Sequence, residues 1–250
     1  MTSGPYFWTT GNTAKAYCLQ WIANEVEKRG VDAPLTILDM GSGTSGNFAE
    51  FLQANPKVGY IGVEPYALAC EAARKLLPQR ENIRIVNDLA YDLYGRVITE
   101  PVDIVVSFSV MEHVVQRPRY LQTVYDCLKE GGTFLINYDA GHFNPNRDLK
   151  EKLKTFLSPW MARLGMEGRY QKFVPEQDFR QWVQQIGFEI VEAKSFNTQM
   201  KGLHKRIPSG HQQEHQRRWL EYEEWLNENV TDYSDADAFL WLSRNFILRK

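Results

Sequence analysis

Apolar positions along the chain follow two periods in turn, one helical and one extended. From Thr13 to Gly30 they fall at Ala16, Leu19, Ile22, Ala23 and Val26, three or four apart, which predicts a helix with one buried face. Asn12 or Thr13 can cap its start and Gly30 its end. Leu35, Ile37 and Leu38 make a short apolar run closed by Asp39, and Phe48, Phe51 and Leu52 return to helical spacing as far as Pro56. Val58 to Glu64 predicts a second strand that again closes on an acid. Pro65 breaks it, and residues 66–77 predict a helix with Leu68, Ala72 and Leu76 inward. A short strand follows over Ile83 to Val86. Residues 102–109 form a continuous apolar strand of the kind buried in the middle of a parallel sheet. Residues 118–129 predict a helix facing inward through Leu121, Val124, Tyr125 and Leu128. Glu130-Gly131-Gly132 stops it, and Thr133 to Asn137 is a fifth strand. Strand and helix alternate throughout 35–137, so an α/β chain with a doubly wound parallel sheet is expected.

That rhythm breaks after residue 137. Residues 138–174 open as a loop (Asp139, Gly141, His142, Phe143, Pro145) and carry a helical pattern at Leu149, Leu153, Phe156 and Leu157, too much for a bare connector. Pro175 opens a helix with Phe179, Trp182, Val183 and Ile186 inward, Gly187 ends it, and residues 188–194 alternate as strand six. Residues 198–231 are a second insertion, ending in a helix with Trp219, Tyr222, Trp225 and Leu226. The last strand is drawn from residues 238–242 and 245–250. With no repeat and no second core, residues 1–250 read as a single domain. It comprises an N-terminal cap helix to residue 30, a core over 35–137, and insertions at 138–174 and 198–231.

Composition narrows the function classes. The net charge of −2 steers the chain neither to nucleic acid nor to an anionic membrane. Residues 194–218 are basic and 221–237 acidic, which reads as a solvated face. Cys18, Cys70 and Cys127 are far apart, each in an expected helix, so buried free thiols in a reducing compartment are expected. The opening residues lack the basic and apolar regions of a secretory signal, and no apolar run approaches the roughly 20 residues needed to span a bilayer. A cytoplasmic location is the expectation, with no membrane partner; the oligomeric state stays open.

The chemistry gathers at Asp39-Met-Gly41-Ser42-Gly43-Thr-Ser-Gly46. A strand, a glycine turn and a helix bring backbone against a ligand, and the spacing also suits a dinucleotide. Asp39 decides between them: a carboxylate there repels a pyrophosphate but attracts an ammonium or sulfonium. Glu64, at the next strand's end, stands where such folds place the acid that binds ribose hydroxyls.

This stretch resembles motif I of the class I S-adenosylmethionine-dependent methyltransferases, although their third glycine falls where Ser45 stands and is displaced here to Gly46. The resemblance covers residues 35–137, 175–195 and 239–250. It implies a Rossmann-like seven-stranded sheet, mostly parallel, with the last strand antiparallel between strands five and six, and the insertions covering the site. It implies S-adenosylmethionine as cofactor, held by Asp39, Gly41, Ser42 and Gly43, by Glu64 and Pro65, by Asp88 and Leu89, and by Ser107 and Phe108. Ser109-Val-Met-Glu112-His113-Val is similar to small-molecule enzymes of the ubiquinone-biosynthesis O-methyltransferase type. Those carry an acid where Ser109 stands, and two remaining ligands rarely hold a metal, so no metal is expected.

Two histidines are candidates for catalysis. His142 lies just past strand five, at the ligand-bearing edge, with a pKa class near neutrality, and His113 follows strand four. Asp139 and Tyr138 are weaker candidates for the base. No Asn-Pro-Pro-aromatic follows strand four, which disfavours adenine amino methylation, and no cysteine follows it for a cytosine C5 mechanism. The expected reaction is methyl transfer to a small or medium organic acceptor, oxygen ahead of nitrogen. An RNA- or protein-directed methyltransferase and a non-catalytic binding module are the alternatives.

Overall fold

The computed structural model describes residues 11–30, 32–139, 170, 172–197, 201–230 and 243–250. Seven strands form one sheet: β1 (Leu35–Met40), β2 (Val58–Glu64), β3 (Ile83–Asn87), β4 (Val102–Phe108), β5 (Leu128–Asp139), β6 (Glu189–Phe196) and β7 (Ser243–Arg249). Their order is β3-β2-β1-β4-β5-β7-β6, and β7 runs antiparallel to both neighbours. The expected doubly wound sheet, with an antiparallel final strand between five and six, is present. The chain order reverses beside β1 and β4, which opens a crevice at the carboxyl ends of those strands.

Successive residues of a buried strand face opposite layers, and the two cores follow from that. On one face, α1 (Thr13–Arg29) and the short α2 (Ala49–Ala54) pack Leu19, Ile22, Phe48 and Phe51 against Ile37, Tyr60, Val106 and Ile247. On the other, α4 (Arg117–Cys127) and α5 (Glu176–Ile186) pack Leu121, Val124, Phe179 and Val183 against Leu38, Val105, Phe134 and Leu248. α1 is capped as expected, Asn12 Oδ1 accepting from the Lys15 amide at 3.2 Å. All three cysteines are buried and free.

Several expectations are corrected. α3 (Ala67–Leu76) buries Cys70 and Ala73, whereas Leu68 is 81% exposed and Leu76 52%. The small face lets the helix lie close to the sheet, with Cys70 Sγ 3.3 Å from the Glu64 carbonyl. α4 ends at Cys127, and β5 begins at once, running through Glu130-Gly131-Gly132 because the Lys250 backbone pairs with Gly131 and Gly132. α2 begins only at Ala49, three residues after Gly46. The residues 238–242 assigned to the last strand, and the helical pattern at 149–157, lie outside the described residues.

The second insertion contributes α6 (Lys201–His204) and α7 (Ser209–Asn229). α7 lies along α1 and the edge strand β6. Gln216 accepts from the Gly11 amide at 3.0 Å, Glu223 from Asn197 and Trp219, and the Asn227 amide both donates to and accepts from the Ser195 backbone at 2.8 Å. Within the charged run, Arg217 and Arg218 pair with Glu214, and Arg217 also pairs with Glu221, on the same helix. No helix among the described residues is long and apolar enough to cross a membrane.

Candidate functional site

At the end of β1 the chain turns sharply over the end of β2. The Gly41 and Ser42 amides both donate to the Val63 carbonyl, at 2.8 and 3.1 Å. Gly41 has φ +79°, and a Cβ there would stand 2.5 Å from a methyl of Val110 in the loop after β4. Gly43 has φ +55° and nothing within 4 Å of where its Cβ would be. One glycine is needed for close packing of two loops, and the other leaves a cradle open above the sheet.

Two carboxylates frame that cradle. Asp39 is 4% exposed and receives the Tyr60 hydroxyl at 2.7 Å. Burial raises its pKa to about 7; the Tyr60 hydrogen bond and the charge of Lys15 oppose the rise, and Glu64 adds to it. Glu64 accepts from the Gly43 amide at 2.9 Å and the Tyr66 amide at 3.1 Å. Each of its oxygens thus holds one turn and keeps a lone pair for a further donor. Pro65 separates those two turns. Asp88 accepts from the Leu89 amide at 2.8 Å and pairs with Arg96 at 2.5 Å.

Ser107 and Phe108 stand at the end of β4, as expected, with buried side chains. Ser107 is fully buried and its hydroxyl takes that of Tyr120 at 2.7 Å, while Phe108 packs in the core beneath α1. Ser109 then adopts φ +58°, a costly conformation for a residue with a side chain, and turns the chain toward a single 3-10 turn at Met111–His113.

Tyr170, Lys172 and Phe173 hold this loop. His113 Nδ1 lies 2.9 Å from the Tyr170 carbonyl, which can only accept, so Nδ1 donates. The Lys172 amide donates to the Glu112 carbonyl, and the buried Arg117 guanidinium donates to the carbonyls of Lys172 and Phe173. Burial lowers the Arg117 pKa. Tyr138, at the end of β5, is fully buried, and burial raises its phenol pKa far above the range of a base. His142 lies outside the described residues, as does the side chain of Asp139. Sequence reasoning missed Tyr60, Arg117 and Tyr170; their partners are remote in the chain, and no local pattern marks them.

The arrangement fits a cationic nucleoside: an open backbone cradle, a buried acid beside it and a second acid on the neighbouring strand. A family model described as a methyltransferase domain matches residues 13–193. A trans-aconitate 2-methyltransferase from Azoarcus sp. (strain BH72) is 26% identical over 134 residues, covering 54% of this chain and 49% of that protein. The chain thus spans about half the length of that curated relative. An S-adenosylmethionine-dependent methyltransferase from Mesorhizobium loti superposes with TM-score 0.57 at 15% identity, covering 91% of this chain and 97% of that one. Mycolic acid cyclopropane synthase CmaA1, complexed with SAH and CTAB, gives 0.54 at 16% identity over 92% and 85%. At these identities the structures establish a shared fold.

Proposed function

The chain belongs to the methyltransferase-domain family, and from that premise we propose that it transfers a methyl group from S-adenosylmethionine to a small or medium organic acceptor, oxygen ahead of nitrogen. The observation that carries the reading is the Gly43 cradle set between the carboxylates of Asp39 and Glu64. The Azoarcus relative is named for a small acceptor, which agrees with it. When bound, S-adenosylmethionine supplies a methyl group already activated on a sulfonium. The protein's part is placement, an effect of up to roughly 7–11 kcal/mol. Asp39 favours the cationic end, Glu64 accepts from the ribose hydroxyls, and the loop carrying Val110 closes over Gly41.

A hydroxyl acceptor also needs its proton removed. The Tyr170 carbonyl fixes His113 in the tautomer whose Nε2 can take it, and His142 remains the second candidate. The insertions at 138–174 and 198–231 are assigned to covering the acceptor. Purified protein should form S-adenosylhomocysteine with a hydroxyl-bearing acceptor. His113→Gln should lower kcat by about 10²-fold or more while donor affinity holds, as befits a base. Donor binding without turnover on any hydroxyl, carboxyl or amine acceptor would favour a binding module.

Glu64→Gln keeps the side chain's shape but replaces one acceptor oxygen by a donor and removes the charge. Donor affinity should fall by about one to two orders of magnitude, the roughly 1.5–3 kcal/mol of one charge-assisted hydrogen bond. Unchanged affinity by calorimetry would take Glu64 out of the site.

A further inference from the structure

The second insertion holds a pair of histidines that the donor site does not use. Among residues 202–208 only His204 is buried, while Gly202, Leu203, Lys205 and Arg206 are exposed. Its imidazole is therefore what seats α6 and the turn after it. His204 Nδ1 lies 3.1 Å from His215 Nδ1 on α7, with the ring centres 5.2 Å apart. At the opposite edge of the His204 ring, a Cβ on Gly11 would stand 2.8 Å from Cδ2. Gly11 has φ +65°, and its amide donates at 3.0 Å to Gln216, the residue after His215. His215 in turn lies 5.9 Å from the Trp219 ring. One pair of rings thus joins α6, α7 and the chain leading into α1.

Two imidazole nitrogens at that distance share one proton: one donates, and the other must keep its lone pair. The pair accommodates one positive charge and not two. A second proton, on the accepting nitrogen, removes the hydrogen bond and sets like charges in contact. His204 suits the accepting role, because burial, and then the charge of His215, hold its pKa below the ordinary value of about 6.5. The charged groups on neighbouring elements are engaged elsewhere. Glu214 of α7 pairs with Arg217 and Arg218, and Glu223 accepts from Trp219 and the Asn197 amide. Lys15 of α1 bears on Asp39, while His211, Lys205 and Arg206 are exposed. No acid among the described residues pairs with either imidazole.

We infer that the His204–His215 pair is a proton-released latch: with one shared proton it holds α6 and Gly11 on α7, and a second proton lets both go. The latch itself does not depend on the methyl-transfer reading; under that reading, release would also loosen the cover over the acceptor in acid. His204 binds a proton less readily in the folded chain than in the unfolded one. Its contribution to stability is therefore complete above about pH 6.5 and is lost as pH falls through the folded value. Asp39 titrates in a nearby range but with a raised pKa, so acid stabilises the fold through it and the loss cannot come from there.

Amide exchange of the ligand-free full chain between pH 7 and pH 5 tests the latch, read as protection factors so that intrinsic rates cancel, beside an NMR titration of the histidine rings. The Gly11 and Ile207 amides, bonded to Gln216 and to the His204 carbonyl, should lose at least about tenfold in protection while β4 keeps its own. One proton allows up to about tenfold per pH unit. The loss should share its midpoint with the titration of His204, below the ordinary histidine value. His215→Gln should abolish the loss, since a carboxamide donates to the neutral ring and accepts from the charged one. Equal protection of wild type at both pH values, a loss of the same size in His215→Gln, or a His204 titration with no accompanying loss overturns the inference. Should His215→Gln be unprotected already at pH 7, the two wild-type midpoints decide alone: coincidence supports the latch and separation overturns it.

Discussion

Asp39→Asn lowers donor affinity by between one and two orders of magnitude at pH 8 and flattens its dependence on pH. Desolvation raises the buried carboxyl to about 7, so near neutrality the donor-free protein is a mixture of protonated and ionised forms. A sulfonium and an ammonium favour the ionised form, so donor binding below pH 7 expels a proton, and affinity climbs from pH 6 to pH 8 before levelling. At an effective dielectric near 20 and a separation of about 7 Å, one charge pair contributes about 2 kcal/mol. That corresponds to between one and two orders in affinity. Asparagine keeps the shape and can still accept from Tyr60. The ligand's own titration is common to both proteins, so their difference isolates Asp39.

The folding linkage has the opposite sign. The folded pKa of about 7 lies above the unfolded value of about 3.9, so the native state binds the extra proton between them. Without donor, stability therefore falls as pH rises through that window and levels above it. Asp39→Asn should lack that fall. Calorimetry across pH 6–8.5 and urea unfolding without donor check the two halves. Equal donor affinity of both proteins at pH 8 would remove Asp39 from ligand selection, and a preference of wild type for NAD would refute the methyltransferase reading.

Gly41→Val should be the most damaging single change in the turn, lowering stability by about 2–5 kcal/mol. A β-branched residue at φ +79° contributes about 1–2 kcal/mol of strain. Overlap with the Val110 methyl, 2.5 Å from the new Cβ, adds about 1–3 kcal/mol. Gly43→Ala is the contrasting case. Its φ of +55° carries the strain, but its Cβ meets nothing, so stability falls by about 1 kcal/mol while the methyl enters the space assigned to the donor. Urea midpoints and donor titrations of the two variants should separate: Gly41→Val fails chiefly in stability, Gly43→Ala chiefly in binding. A Gly41→Val protein as stable as wild type would mean the two loops do not meet.

Legibility in the sequence tracked how local each determinant is. The acid-closed strands β1 and β2, the glycine turn and the cap of α1 are set by neighbouring residues, and they appear where the pattern places them. For α3 the pattern pointed to the stripe Leu68, Ala72 and Leu76, whereas the structure packs another, Cys70, Ala73 and Leu77. The packed one is the less greasy, because small side chains let the helix approach the sheet. The extent of β5 was hidden because its partner at Gly131 and Gly132 is Lys250, at the far end of the sequence. Asp39 and Glu64 could be singled out, but not the hydroxyl of Tyr60 that holds the first or the Gly43 amide that meets the second. The pairing of His204 with His215 exists only once α6 has folded back on α7.

The amide of Asn227, clasping both backbone groups of Ser195, bears on self-association. β6 borders the sheet, and a bare border of N–H and C=O groups is a template on which a foreign strand can dock. A carboxamide that offers one donor and one acceptor imitates the peptide unit such a strand would bring. It occupies the position nearest the carboxyl end of β6, beneath the turn of α7 that carries it. The sheet cannot grow outward at that point while α7 stays seated, so the helix also shields the border strand from runaway pairing.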